Sequence, residues 1–199
     1  MVQSSNLNEE LGMVHYIFSD KTGTLTQNVM EFQKVSIGNT SYGIDKPEEV
    51  EYAPGVTNVN FYDEKLTNLL TKGDGGKDQE LARRFIEALG LCHTVLCNEK
   101  ETKAGEKYIA YNASSPDELA LVNGARHLGF FFKDYNDDGC MVCDTWEGEK
   151  SYKLLKVIEF DSTRKRMTVI VRTEEGKILA LCKGADSIIE KRLREDQEE

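Results

Sequence analysis

Residues Tyr152-Lys153-Leu154-Leu155-Lys156-Val157-Ile158-Glu159-Phe160 and Arg166-Met167-Thr168-Val169-Ile170-Val171-Arg172 are two β-branched, aromatic-containing runs joined by the polar link Asp161-Ser162-Thr163-Arg164-Lys165. Short runs of this composition between polar turns read as strands. A third, Lys177 to Lys183, follows Thr173-Glu174-Glu175-Gly176. Val157, Ile158, Val169, Ile170, Val171, Leu179 and Leu181 put apolar groups at odd and even positions alike, which predicts the centre of a sheet covered on both faces. After Gly184-Ala185-Asp186 a helix is expected through Ile188, Ile189 and Leu193, running into an acidic tail.

Working towards the N-terminus, Phe130 to Trp146 reads as two strands around the turn Asn136-Asp137-Asp138-Gly139. Asp134, Asn136, Asp138 and Gly139 also fit the first half of a calcium loop, but Thr145 stands where the bidentate Glu belongs. Cys140 and Cys143 form a lone C-x-x-C with no second pair to complete a zinc site. Ser115-Pro116-Asp117-Glu118 predicts a helix start, with Ser115 as N-cap, Pro116 at the first helical position and Glu118 closing a capping box. Leu119, Val122, Ala125, Arg126 and Leu128 continue that helix to Gly129. Tyr108 to Tyr111 reads as a short strand. Asp78 to Asn98 is expected to be one helix, with Leu81, Phe85, Ile86, Leu89, Cys92, His93 and Leu96 along its apolar face. Cys92, His93 and Cys97 are read there as packed core residues, because no fourth metal ligand has recognisable spacing.

The stretch 45–77 is acidic and carries Pro47 and Pro54, so it reads as a mobile surface insertion with a short helical turn near 61–70. Gly75-Gly76-Lys77 is not a phosphate-binding loop of the Walker type: Thr71 replaces the first glycine, and Asp78 the Ser or Thr that would meet Mg²⁺. Met30 to Ile37 alternates apolar and polar residues into Gly38-Asn39, a hairpin signal. Before it, Val14-His15-Tyr16-Ile17-Phe18 is an apolar run that stops at Ser19-Asp20-Lys21-Thr22-Gly23-Thr24-Leu25-Thr26. This predicts a buried strand delivering a carboxylate to the edge where open α/β sheets bind ligands. An unperturbed Asp titrates near ~3.9, so Asp20 is ionised at neutral pH and can attack a phosphate without a separate base. Amides, the hydroxyls of Thr22 and Thr24, and Lys21 can meet the transferred group, and Mg²⁺ would screen the two anions. On spacing alone, an ordinary polar turn explains these residues equally well.

Composition narrows the classes. The net charge is −10 and the pI near 4.9, which argues against binding a nucleic-acid backbone. No apolar run approaches the ~20 residues needed to cross a bilayer, and no secretory leader is evident. Five cysteines, an odd number, with no leader fit reduced thiols in the cytosol. The expectation is a soluble, monomeric chain.

Asp20-Lys21-Thr22-Gly23-Thr24-Leu25-Thr26 resembles the phosphorylation signature of the P-type ATPases. Ser114-Ser115-Pro116-Asp117-Glu118, Glu159-Phe160-Asp161-Ser162-Thr163-Arg164-Lys165-Arg166-Met167 and Cys182-Lys183-Gly184-Ala185-Asp186 resemble the nucleotide-binding domain of the type IV branch, the phospholipid flippases. Ion-pumping branches more often end the last motif in Ala-Pro-Glu. The resemblance implies an α/β (α+β) fold with a largely antiparallel central sheet flanked by helices. It divides the chain into a piece of the phosphorylation domain at 1–28 and a nucleotide-binding domain at 29–199. It further implies that ATP phosphorylates Asp20, with Lys21 and Thr22 beside the phosphate and Mg²⁺ at Asp20 and Thr22. Phe160 would stack on adenine, Glu118 would hydrogen-bond the base, Lys183 would line the pocket and Ser162 would lie next to it.

Phospholipid, a membrane and a small accessory membrane subunit are the partners implied for the parent protein. This chain, a cytoplasmic piece of it, is expected to bind ATP without turnover. The alternative is a self-sufficient phosphohydrolase using Asp20 on a small phosphorylated substrate.

Overall fold

The computed structural model describes residues 7–21, 23–44 and 50–194. Its main element is a five-stranded antiparallel meander of β5 (Phe131–Tyr135), β6 (Cys140–Thr145), β7 (Gly148–Asp161), β8 (Arg166–Arg172) and β9 (Ile178–Gly184), paired in that order. Local turn chemistry sets the register. Asn136 Oδ1 accepts from the Asp138 and Cys140 N–H groups, and Asp161 Oδ1 from those of Thr163 and Arg164. These bonds are local to each chain reversal.

One face of the sheet carries Met141, Cys143, Tyr152, Met167, Val169 and Val171, all buried. Against this side pack α3 (Lys77–Leu91) and α4 (Pro116–His127), with α2 (Glu64–Lys72) behind α3. The other face is not covered as the sequence pattern predicts: Leu155, Ile158 and Ile178 are exposed. An antiparallel sheet can leave one face to water, and that arrangement holds here although apolar residues stand at successive positions.

The helix expected over 78–98 ends at Leu91. Cys92 still donates its N–H to Ala88, but with φ −85° and ψ 71° it leaves the helix. The chain turns at His93 and Thr94 into β3 (Leu96–Glu101), which pairs with β4 (Lys107–Asn112). The inward stripe is also rotated from the predicted one. Gln79, Ala82, Ile86, Leu89 and Gly90 are buried, whereas Leu81 and Phe85 are exposed. Gln79 is the reason periodicity misleads here. It is polar yet buried, donating to the Leu69 carbonyl and accepting from the Gly75 N–H, so its hydrogen bonds offset its desolvation.

Gly90 sits directly under the ring of Phe130. An added Cβ would stand 2.2 Å from Phe130 Cδ1, and Phe130 is itself fully buried. Gly90→Ala is therefore expected to lower stability by about 1–3 kcal/mol despite the better helix propensity of alanine. Urea unfolding of the variant checks this.

The 45–77 stretch is not wholly a surface insertion. Residues 45–49 lie outside the described residues, but Phe61, Leu66 and Leu70 are fully buried. Asp63 caps α2 by accepting from the Leu66 N–H, and Phe61 packs 5.2 Å from Phe32. The hairpin expected at Gly38-Asn39 forms between β1 (Val35–Ile37) and β2 (Thr40–Tyr42), with φ of +55° and +63° at the two turn residues. Positive φ at both positions suits the right-handed twist of a two-residue hairpin.

Two further expectations are corrected. The run 14–20 forms no strand, and Phe18 is 96% exposed. A strand needs a partner for its backbone groups, and among the described residues none pairs with this segment. The C-terminal helix is one short turn, α5 (Asp186–Ile189), followed by a 3₁₀ turn at Glu190–Arg192.

Candidate functional site

The candidate residues converge at one end of the meander. Met167 in β8 pairs with Lys183 in β9, and Arg166 with Gly184. On the other side of β8 the pairing Ile158 to Thr168 is followed by Asp161 to Arg166, so two residues of β7, Glu159 and Phe160, oppose Met167 alone. Such a bulge twists its strand and re-aims side chains. Phe160 is left 64% exposed, a flat apolar surface beside the 161–165 turn on which Ser162 stands. Gly184 packs against that turn, with Ala185 donating its N–H to the Lys165 carbonyl. A Cβ at 184 would meet that carbonyl oxygen at 2.5 Å, so the sequence Lys-Gly-Ala keeps the end of β9, and Lys183 with it, close against the 161–165 turn and β8.

Lys183 lies on the inward side of β9 with Leu179 and Leu181. Its Nζ is buried and has no hydrogen-bond partner. Burial pushes its pKa below the usual lysine value, while Glu118, Cys92 and Asp117 pull it back up. Glu118 is only 6% exposed. Its carboxylate does not close a capping box, for the side chain of Ser115 makes no cap bond. Instead Glu118 reaches the turn after α3, accepting from the Thr94 N–H at 2.9 Å and from Thr94 Oγ1. The helix start therefore holds as read, while the reason for its glutamate changes.

The same turn brings in His93, which sequence periodicity assigns to a helix face. It is 1% exposed and packs 4.6 Å from the ring of Phe132. Nδ1 accepts from the Val95 N–H, and Nε2 has no partner. Burial, and then the nearby Lys183 ammonium, push its pKa down to about 3 against a smaller upward pull from the Gly90 carbonyl. Cys92, next to it, donates from Sγ to the Leu181 carbonyl at 3.3 Å. No sequence signal separates this histidine from a core residue, because its setting depends on where α3 stops.

Asp20 is not brought to this cluster by any described contact. It is exposed, and its Oδ1 accepts from the Lys21 N–H. Thr22 lies outside the described residues. Among the described residues no three His, Cys, Asp or Glu side chains are grouped to hold a metal. The calcium-like turn is closed by Lys153, whose Nζ donates to the Asp138 carbonyl. Cys143 is buried and Cys140 partly exposed. A cavity of about 330 Å³ lies elsewhere, between α3 and the β6–β7 turn. Its polar groups satisfy one another, as in Arg83 with Glu147 and Tyr152 with Glu87.

Residues 83–195, which contain the whole cluster, match the family model for the P-type ATPase cytoplasmic domain N, and the chain belongs to that family. Among its relatives are phospholipid-transporting ATPase IC of Xenopus tropicalis, 40% identical over 98% of this chain and 16% of that protein, and phospholipid-transporting ATPase ID of Homo sapiens, 42% identical over 99% and 17%. Phospholipid-transporting ATPase FetA of Mus musculus is 40% identical over 94% of this chain and 16% of its own length. The chain thus spans about a sixth of the curated relatives it matches. No helix among the described residues is long and apolar enough to cross a membrane.

Proposed function

We propose that this chain is the ATP-binding domain of a phospholipid-transporting P-type ATPase. The observation that carries this reading is Lys183 Nζ, a buried ammonium with no protein partner, close enough to the buried Glu118 carboxylate to feel its charge and at the same end of the meander as the exposed ring of Phe160. A buried donor left unpaired costs about 1–3 kcal/mol, and an anionic or acceptor-bearing ligand would recover that cost. Phe160 offers a face for adenine, Glu118 an acceptor for its amino group, Lys183 positive charge, and Ser162 a hydroxyl at the pocket edge.

In the parent protein, ATP held here would phosphorylate Asp20, and the energy would drive lipid from one leaflet to the other. The parent would be a membrane protein with this domain in the cytoplasm, a phospholipid substrate and a small accessory membrane subunit. Lys21 and Thr22 would flank the phosphate. Mg²⁺ enters as a companion of the ATP phosphates. Asp20 has no second acidic ligand beside it among the described residues, so these residues alone do not make a Mg²⁺ site. The chain is proposed to be monomeric and to bind ATP without turning it over. Residues 1–28 would be a fragment of the phosphorylation domain and 29–199 the nucleotide-binding domain.

Calorimetric titration tests the reading. ATP is expected to bind more tightly than GTP, and Phe160→Ala to weaken ATP by the ~1–3 kcal/mol that base stacking contributes, with the melting temperature unchanged because the ring is exposed. Incubation with labelled ATP and Mg²⁺ is expected to leave no hydroxylamine-sensitive phosphoprotein. Formation of one, without ATP affinity at Phe160, would favour the self-sufficient phosphohydrolase.

A further inference from the structure

Thr94 stands apart in the turn between α3 and β3. Cys92, His93 and Val95 around it are buried, whereas Thr94 itself is exposed. Both of its polar groups nevertheless meet a buried side chain. The N–H donates to Glu118 Oε1 at 2.9 Å, and Oγ1 lies 3.2 Å from Oε2 and 3.4 Å from Oε1. Glu118 belongs to the first turn of α4 and is 6% exposed. The pair therefore ties the turn after α3 to the start of α4, and it sets the carboxylate directly beneath a residue that faces solvent.

The bonding pattern fixes an orientation as well as a contact. An N–H on one oxygen, with a hydroxyl bridging towards the other, leaves the carboxylate little freedom to rotate about its terminal bond, and such bonds to a charged acceptor are stronger than neutral ones. A carboxylate offers about four acceptor sites, so the two donors of Thr94 leave capacity for a donor brought by a ligand. The backbone N–H is held by the turn itself, which His93 anchors by packing 4.6 Å from the ring of Phe132. The hydroxyl is the part that a substitution can remove.

Adenine carries an amino donor where guanine carries the acceptor O6. A carboxylate kept in one orientation accepts from the first and repels the second. A site that hydrogen-bonds one group of its ligand rejects the analogue lacking it, because its own polar groups are left unpaired. That discrimination lasts only while the acceptor stays in place.

Resting on the nucleotide-binding reading above, we propose that Thr94 is a positioning residue of the site: by holding the Glu118 carboxylate through its N–H and hydroxyl, it sets the preference for a base that presents an amino group. Thr94 acts through Glu118 and needs no contact with the base.

The test uses the chain as it stands, titrated with ATP and with purine riboside triphosphate, which differs from ATP only in lacking the amino group. Wild type is expected to prefer ATP by about tenfold, the size of one hydrogen bond to a charged group. Thr94→Val keeps the branched shape and the N–H but removes the hydroxyl. It is expected to lose most of that preference through weaker ATP binding, with the analogue unchanged, and Thr94→Ser should restore it. On a Glu118→Gln background, Thr94→Val should change the preference no further, since the two residues act as one unit. A residue that only supports the fold would weaken both ligands by the same factor, so equal losses overturn the inference, as does an unchanged preference. A second readout needs no substitution: in nitrogen-15 spectra of the wild type the Thr94 amide should shift on ATP addition and much less with the analogue, and equal shifts overturn the inference as well. If the inference fails in these ways while Phe160→Ala still weakens both ligands, the nucleotide site stands without it. Absence of ATP binding by the wild type overturns both.

Discussion

Lys183→Met is expected to make the domain more stable and at the same time to weaken ATP binding by at least tenfold. Those two effects have opposite signs because they come from one cause. In the free domain the Lys183 ammonium is buried, lacks a hydrogen-bond partner, and is held below its ordinary pKa by burial. Methionine fills a similar volume without a charge, so the desolvation penalty disappears, a gain on the order of 1–3 kcal/mol. With ATP present the ammonium finds an acceptor, and its removal then costs at least the ~1.4 kcal/mol that a tenfold change in affinity represents. A structural lysine would show the reverse pattern, with lower stability and no change in affinity. Thermal melts with and without ATP read both effects. The ligand-induced rise in melting temperature should be large for wild type and nearly absent for Lys183→Met.

Acidification is expected to destabilise the domain through His93, beginning near pH 6.5. In the folded chain burial holds this imidazole down to about 3, whereas in the unfolded chain it titrates near its ordinary ~6.5. Between those limits the unfolded state binds a proton that the native state does not, so stability falls as pH falls. The histidine contributes no penalty above pH 6.5. Below that point the slope approaches ~1.4 kcal/mol per pH unit, on the order of 3 kcal/mol between pH 7 and pH 4. Carboxylates also titrate in this range, so the difference between wild type and His93→Phe isolates the histidine. The variant should lose much less stability than wild type on going from pH 7 to pH 4, and parallel curves would show that His93 titrates normally in the folded domain. Lys183, lowered by burial in the same sense, adds stability as pH rises towards its ordinary value, well outside this window.

The parts of the fold that could be read from sequence are those fixed by local chemistry. Gly38-Asn39, Asn136 to Gly139, the 161–165 link and the Ser115-Pro116 helix start each impose their geometry through turns or fixed backbone angles, and all appear where expected. The failures share a different cause. Where α3 stops, which face it buries and whether the second face of the sheet is covered all depend on partners remote in sequence. Gln79 is buried because carbonyls of α2 accept from it, and Phe61 and Leu70 are core because α2 folds onto α3, despite acidic and proline-containing surroundings. The run at 14–20 has strand composition but no described strand beside it, so its apolar side chains face outward.

The candidate site was legible to a similar degree. Glu118, Phe160, Ser162 and Lys183 come from motifs, and the structure gathers Glu118 and Lys183 with the exposed ring of Phe160 at one end of the meander. The role of Thr94 in orienting Glu118, and the unpartnered Nε2 of His93, could not be read, because both arise from the turn at His93 and Thr94 that follows the end of α3 at Leu91.

The most direct test of the central claim is a residue-resolved NMR titration of the chain with ATP, with GTP as comparison. Shifts centred on Glu118, Phe160 and Lys183, extending to His93 and weaker for GTP, are the predicted result. Shifts confined to the segment around Asp20, or none at millimolar ATP, would contradict the account.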